Sequence, residues 1–523
     1  MERNAAWLLE LEPDRLLAGV REDAGLPPKA PRYGGWEQQG VASHSLGHHL
    51  SACALQYAAT GDSRFKERVD YIVEELALCQ NANGDGYVSA IPDGKRAFAE
   101  IARGEIKAEN FQLNGIWVPW YTMHKLFAGL RDAYIHAKND QALEVYTALG
   151  DWACRITEDL SPEQMQEMMR CEHGGINETA ADLYALIGDE KYLALARRFT
   201  HKAVFDHMAA GNDILNGLHA NTQIPKFTGA ARIYELTGDT YYHDAARFFW
   251  TTVANHHSYV TGGHSDHEHF GPPDKLNDRL STETTETCNT YNMLKLTRHL
   301  FEWEAAPEYA DFYERALFNH ILGSQNPDTA EVTYYVPLES GRMKTYQTKF
   351  ETFSCCVGTG MENHTRYGEA IYFHNADSLY VNLFIASELT WKEKGIVVRQ
   401  ETGFPTEDQM CLTFQCKNPA DLTVYLRRPA WAKTDVGLAV NSEIISVTAE
   451  QRSFMSVQRR WRDGDTITWR CPMAVHTESM PDNPDRVALF YGPVLLAGAL
   501  GEKERVPAEM PVLITGDKPV NEW

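Results

Sequence analysis

The chain has 523 residues, 43% of them hydrophobic and 23% charged. That length predicts two or three domains, and that composition excludes a disordered or fibrous chain. Its 72 acidic residues against 49 basic ones leave a formal charge of −23, which repels phosphate backbones and anionic lipid surfaces, so neither nucleic acid nor membrane is an expected partner.

The N-terminus, Met1-Glu2-Arg3-Asn4, has no signal-peptide core. Ten cysteines are too sparse for a disulfide scaffold, so reduced thiols and a cytoplasmic location are expected. From the start to about residue 370 one unit recurs: a helix, a tight turn and a second amphipathic helix. The turns are Gly61-Asp62, Asn139-Asp140, Gly188-Asp189 and Gly238-Asp239, with a looser copy at Glu304-Ala305-Ala306-Pro307. In each, Gly or Asn suits the left-handed position after a helix and Asp caps the next one. Five hairpins with room for a sixth predict an (α/α)6 barrel over residues 1–370. A closed ring is favoured over an open solenoid because histidines, tryptophans and acids gather at the loops between hairpins.

Several features along this half have ordinary readings. His44, His48 and His49 lie at helical spacing and read as packing or capping groups. Asn81-Ala82-Asn83-Gly84-Asp85-Gly86 imitates half a calcium loop, but the position for the bidentate acid is Pro92, so it is a turn. Trp117-Val118-Pro119-Trp120-Tyr121 with His124 is either aromatic core or the wall of a carbohydrate pocket. After residue 371 the texture changes to short alternating runs: Ser378–Phe384, Gly395–Arg399, Leu412–Gln415, Leu422–Leu426 and Thr466–Trp469. Period-two alternation with Gly, Asp and Pro breaks predicts a β-sandwich over residues 371–523, carrying no cluster of catalytic residue types. Pro429 should end the strand before it.

Two places gather chemistry. Glu286-Thr287-Cys288 with Cys355-Cys356 supplies three thiols and a carboxylate, a donor set suited to tetrahedral zinc. The spacing is not that of a zinc finger, so packed core thiols and a vicinal disulfide stay open. The second place is Thr261-Gly262-Gly263-His264-Ser265-Asp266-His267-Glu268-His269-Phe270. There Glu268 reads as a general acid/base, the three histidines as metal ligands, or the whole as a solvated loop.

On these residues a resemblance becomes specific. Gly47-His48-His49-Leu50-Ser51-Ala52, Gln80 to Tyr87, Asn216-Gly217-Leu218-His219-Ala220-Asn221-Thr222, Glu268-His269-Phe270, Glu286 to Asn292 and Cys355 to Gly360 resemble the β-L-arabinofuranosidase group of glycoside hydrolases, families 127 and 146, closer in texture to the 146 branch. The resemblance implies an (α/α)6 catalytic barrel followed by a β-sandwich, and an oligosaccharide or glycoside as substrate. It implies zinc on Glu286, Cys288, Cys355 and Cys356, with Cys355 as nucleophile and Glu268 as acid/base. His124 and His219 fall on the family's pocket histidines. His264 departs from the Asn more common after the two glycines, which opens the question of the exact sugar. Other readings are a glycosidase for another furanose or branched sugar, a barrel lyase or epimerase with structural zinc, and an inactive carbohydrate binder. A lyase needs an Arg to neutralise a uronate, and the pocket motifs are poor in Arg. An inactive binder would have lost Glu268 or Cys355, and both are present.

Overall fold

The turn chemistry accounts for the helical half. Gly61, Gly188 and Gly238 adopt left-handed φ values of 71°, 80° and 71°. The following Asp62, Asp189 and Asp239 each accept a backbone N–H of the next helix, from Arg64, Lys191 and Tyr241. The copy at residues 138–140 differs by one position. Lys138 takes the left-handed conformation, with φ 55°, and Asn139 is the cap, accepting from Ala142 N at 2.9 Å. Asp140 is then the first helical residue, because the Asn side chain already fills the capping role.

The computed structural model describes residues 1–434, 436–446, 450–501, 503–506, 509–510, 515–516 and 518–522; Trp523, the end of the expected second region, lies outside them. Six helices form a closed inner ring. His44–Thr60 packs on Pro119–Ala137, which packs on Ile176–Ile187, followed in turn by Ala220–Thr237, Thr287–Trp303 and Cys355–Asn363, and the last returns to His44–Thr60. Such helices are buried on most faces, as a ring between an outer layer and a core requires. Two of them approach closely: a Cβ on Gly47 would stand 2.2 Å from the Lys125 carbonyl oxygen, so only glycine fits there. The outer layer is Ser63–Asn83, Asp140–Thr157, Glu190–Arg198, Thr240–Thr252 and Pro307–Ala316. The sixth inner helix has no hairpin partner in sequence. The N-terminal helix Glu2–Glu10 lies against it, Asn4 donating to the Met361 carbonyl at 2.8 Å.

Beyond the ring the chain is sheet-rich. One sheet has the order Ser453–Trp461, Ala420–Arg428, Ser378–Val381, Tyr372–His374. The other runs Glu443–Ile444, Gly437–Val440, Thr466–Arg470, Gln409–Cys416, Ile396–Thr402, Ser387–Trp391. Alternate residues from both, among them Leu379, Val424, Val398, Leu412 and Trp469, share one core, which makes the pair a sandwich. The strand Ala420–Arg428 stops directly before Pro429. The strands Val475–Met480, Asn483–Tyr491 and Val494–Leu495 form a further small sheet. The sandwich is tied to the helices by Arg427, which is fully buried. Its guanidinium donates to Asp311 at 2.6 Å, to Glu314, and to the Asn382 carbonyl at 2.6 Å. Among the described residues no helix is long and apolar enough to cross a membrane.

Candidate active site

Three inner helices begin at one place. Glu286 is the N-cap of Thr287–Trp303, His219 caps Ala220–Thr237, and Cys355 and Cys356 open the helix capped by Ser354. Unpaired N–H groups at helix starts favour negative charge on these side chains. The segment Val332–Val336 runs beside residues 284–287: Thr287 N donates to the Tyr334 carbonyl at 3.0 Å and Thr285 Oγ1 to Val336 O at 2.7 Å. This pairing brings the Tyr334 side chain into the site.

The donor atoms of Glu286, Cys288, Cys355 and Cys356 all lie within 4.8 Å of one another. Cys288 Sγ is 3.2 Å from Cys356 Sγ, and Cys355 Sγ is 3.8 Å from both Cys356 Sγ and Glu286 Oε1. An S–S bond is about 2.05 Å, and these cysteines are free, so the vicinal disulfide is excluded. Glu286 is wholly buried, and its Oε2 has no hydrogen-bond partner. Burial, reinforced by the neighbouring negative groups, pushes Glu286, Cys288 and Cys356 well above their ordinary pKa values. Cys355 goes the other way: burial raises it, but hydrogen bonds from Cys288, Cys356 and Tyr334 outweigh burial and hold the thiol well below its usual range. Three thiols and a carboxylate crowded in this way, one carboxylate oxygen without a partner, fit a soft divalent cation. Thr359, one turn beyond Cys355, reaches Cys288 Sγ at 3.1 Å.

Glu268 sits across from this cluster on a strained loop. Ser265, His267 and Glu268 all have left-handed φ values, of 78°, 49° and 65°. Ala220 N donates to the Glu268 carbonyl at 2.7 Å and Phe270 N to the Leu218 carbonyl at 3.0 Å, which pins the loop over the His219 helix. The Glu268 carboxylate accepts the Tyr334 hydroxyl on Oε1, and Oε2 is 3.6 Å from His219 Nε2. The same Tyr334 oxygen is 3.3 Å from Cys355 Sγ. Burial raises the Glu268 carboxyl, but the contacts with His219 and Tyr334 outweigh it and hold it below the usual range. Burial, then the charge on Cys355, pushes the Tyr334 phenol far up, so it keeps its proton.

The remaining candidates fall elsewhere. His264 is wholly buried with both ring nitrogens unpartnered, stacked on Phe270 at 5.5 Å, and burial lowers its pKa to about 3. His267 and His269 contact Asp266 Oδ1 and the His267 carbonyl, and none of these three histidines joins a metal-holding group among the described residues. His124 is enclosed under Gly174 and Gly175, both its nitrogens unpartnered. His44 pairs with the Phe353 carbonyl at 2.9 Å, His48 with Glu362 at 2.5 Å, and His49 lies 3.6 Å from Cys53. These three are packing groups, as their spacing predicts. Trp120 is core, whereas Trp117 is half-buried against Trp36. Sequence reasoning passed over Tyr334 and Thr359. Tyr334 follows no motif, while Thr359 lies inside Cys355–Gly360, the stretch that drew notice for its thiols.

Residues 1–369 match the family model described as the β-L-arabinofuranosidase GH127 catalytic domain, and residues 378–473 match its GH127 middle domain. A curated relative, the non-reducing end β-L-arabinofuranosidase of Bifidobacterium longum subsp. longum, is 24% identical over 442 residues, covering 75% of this chain. The chain spans 65% of that relative's length. A GH127 β-L-arabinofuranosidase from Geobacillus stearothermophilus T6 shares the fold, with TM-score 0.74 at 20% identity over 93% of this chain and 80% of the other. A second solved structure, a GH127 β-arabinofuranosidase, has TM-score 0.73 at 20% identity over 94% and 82% of the two chains. Those neighbours carry the fold alone; the family models, reaching from residue 1 to residue 473 across the ring, its cysteine cluster and the sandwich, make this chain a member of the GH127 β-L-arabinofuranosidase family.

Proposed function

We propose that this chain is a zinc-dependent, retaining exo-glycosidase that releases terminal β-linked L-arabinofuranose from a glycoside or oligosaccharide. Cys355 is the nucleophile and Glu268 the acid/base. The observation that carries this reading is the single Tyr334 hydroxyl standing between Cys355 Sγ and Glu268 Oε1. A retaining glycosidase needs nucleophile and acid/base about 5–5.5 Å apart, and two hydrogen-bond contacts through one oxygen bring sulfur and carboxylate within that scale.

Glu286, Cys288, Cys355 and Cys356 would hold the zinc; when bound, it supplies the positive charge that keeps thiols ionised and fixed in direction. Tyr334 has one proton for two acceptors. Without substrate, His219 and Tyr334 hold Glu268 below its usual range and the phenol donates to it; the reaction requires Cys355 ionised and Glu268 protonated, the carboxyl then donating to the Tyr334 oxygen and the phenol to the thiolate. That is the protonation state an attacking thiolate and a general acid require. Cys355 then attacks the anomeric carbon while Glu268 gives its proton to the leaving oxygen. Glu268, now ionised beside His219, takes a proton from water, and that water displaces the sulfur with a second inversion. Cys355 is the most open of the three clustered thiols, at 6% exposure against 1% for Cys288 and 0% for Cys356, as the attacking one must be.

The catalytic unit in this reading is residues 1–370, with 371–523 as supporting β structure. The family pocket histidines are His124 and His219, of which His219 stands beside Glu268. The free thiols agree with a cytoplasmic setting. The test pairs two variants on two substrates. Glu268→Gln should cost about 10²–10⁴-fold on natural glycosides and far less on nitrophenyl furanosides, whose leaving group needs little protonation. Cys355→Ser should abolish turnover on both. Equal losses for Glu268→Gln on both substrates would mean that Glu268 is not the acid.

A further inference from the structure

On the outside of the ring, a groove of about 650 Å³ lies between the short helix Pro162–Met168 and the segment joining Glu190–Arg198 to Lys202–Ala209. The Gln166 amide fixes that segment, donating to the Thr200 carbonyl at 3.0 Å and accepting from Lys202 N at 2.9 Å. The walls carry four cations, Arg170, Arg197, Arg198 and Lys202, against two carboxylates, Glu163 and Glu167. In a chain of net charge −23 this local excess runs against the whole.

Most of that positive charge is uncompensated. Arg170 donates to Glu167 at 2.8 Å and Glu163 accepts the Ser161 hydroxyl at 2.8 Å, so both carboxylates are engaged. Arg198 is held by the carbonyls of Thr157 and Leu160, which fix its guanidinium without neutralising it. The exposed side chains of Arg197 and Lys202 make no hydrogen bond or ion pair with a described residue. Arginines elsewhere are differently placed: Arg131 meets Asp132, Glu178 and Asp182, and Arg427 meets Asp311 and Glu314.

The interior sets one more donor in the groove. His201, which lines it half-buried, turns Nδ1 toward Nζ of the buried Lys226 at 3.0 Å, and that amine also donates to Gln223 Oε1 at 2.9 Å. As an ammonium, its form below a pKa of about 7, Lys226 has donors only. His201 Nδ1 therefore accepts, and the ring proton sits on Nε2. Burial, then the Lys226 charge, lowers His201 to about 2, so the ring stays neutral in this tautomer. Nε2 has no acceptor among the described residues and is not enclosed. A fixed N–H donor among cations that lack carboxylates suits a ligand offering acceptor atoms and negative charge.

We infer that this groove binds an oxyanion carried on a sugar-sized molecule, the anion accepting from His201 Nε2 and lying among Arg197, Arg198 and Lys202. Phosphate monoesters and uronate carboxylates share that chemistry. The groove is far larger than a bare ion and falls within the range of small-molecule sites, about 300–1,000 Å³. The inference stands apart from the glycosidase reading, since none of these residues belongs to the thiol cluster or touches Glu268.

Isothermal titration calorimetry at about pH 6, below the Lys226 pKa, tests it with glucose 6-phosphate, galacturonate and neutral glucose. The proteins are the wild type, the double variant Arg197→Gln/Lys202→Gln, His201→Leu and Cys355→Ser, each checked by thermal melts. The wild type should bind at least one of the two acids at one site, and glucose far more weakly. The double variant should bind that acid about five-fold to thirty-fold more weakly, the worth of two exposed ion pairs, and His201→Leu about ten-fold more weakly. Raising the salt to about 0.5 M should weaken wild-type binding as well. Cys355→Ser should bind as the wild type does. Tighter binding of the phosphate ester names a phosphorylated ligand, and tighter binding of galacturonate an acidic glycan. No binding of either acid, equal binding of glucose, or wild-type affinity in the folded double variant would overturn the site. Loss of acid binding in Cys355→Ser would also overturn it, by moving the anion to the thiol cluster. Should His201→Leu not fold, the double variant, whose changes are both at exposed side chains, decides alone.

Discussion

Replacing Tyr334 by Phe removes one oxygen and nothing else, yet that oxygen touches both groups proposed to react. It donates to Glu268 Oε1 and lies 3.3 Å from Cys355 Sγ. A hydrogen bond to a charged group contributes about 1.5–3 kcal/mol, so kcat/KM should fall roughly ten-fold to a hundred-fold. Because the hydroxyl serves nucleophile and acid alike, the loss should be similar on nitrophenyl furanosides and on natural glycosides. That is the point of contrast with Glu268→Gln, whose loss should depend on the leaving group. The four convergent donors Glu286, Cys288, Cys355 and Cys356 stay in place, so zinc content should stay at the wild-type level. Steady-state kinetics on both substrate types, with metal analysis of the same preparation, makes the measurement. A loss below about three-fold, or a loss confined to poor leaving groups, would refute the shared-hydroxyl account. Loss of metal would show instead that Tyr334 holds the cluster together.

Two further outcomes are expected. Cys288→Ala should lower bound zinc and activity together, since Cys288 Sγ stands 3.2 Å from Cys356 Sγ inside the donor set, whereas Cys53→Ala, remote from the cluster, should lower neither; metal analysis after dialysis decides it, and full zinc retention in Cys288→Ala would remove that residue from the site. Lys226 is held by burial at a pKa of about 7, against 10.5 for a free lysine, despite the opposing charges of Glu172 and Cys171. Between those two values the unfolded chain binds more protons at this residue than the folded one, so its cost to stability is full below pH 7 and fades as pH rises toward 10.5. Lys226→Met, which also removes the contacts to His201 and Gln223, should flatten this rise in denaturant melts from pH 7 to 10, and an unchanged slope would contradict it.

What the sequence determines here is what neighbouring residues decide among themselves. The Gly-Asp turns are legible because a left-handed residue and a cap act within three or four positions, and the β runs because alternation is a property of one strand. Cys355 and Cys356 are adjacent, and Glu286 and Cys288 share one helix start, so only two pieces had to be imagined meeting. Even locally the rule slips where two residues compete for one role, as when Asn139 took the cap and left Lys138 in the left-handed position. The tertiary structure alone decided the rest. Ring closure, where Cys355–Asn363 packs back on His44–Thr60, joins positions more than 300 residues apart, as the contact of His48 with Glu362 does. The entry of Tyr334 depends on residues 332–336 lying beside 284–287, which no periodicity announces. His264 looks in sequence like one more polar residue of a charged loop. Packing made it a core ring stacked on Phe270, because burial and pairing are set by which segments meet in space and not by the residue types themselves.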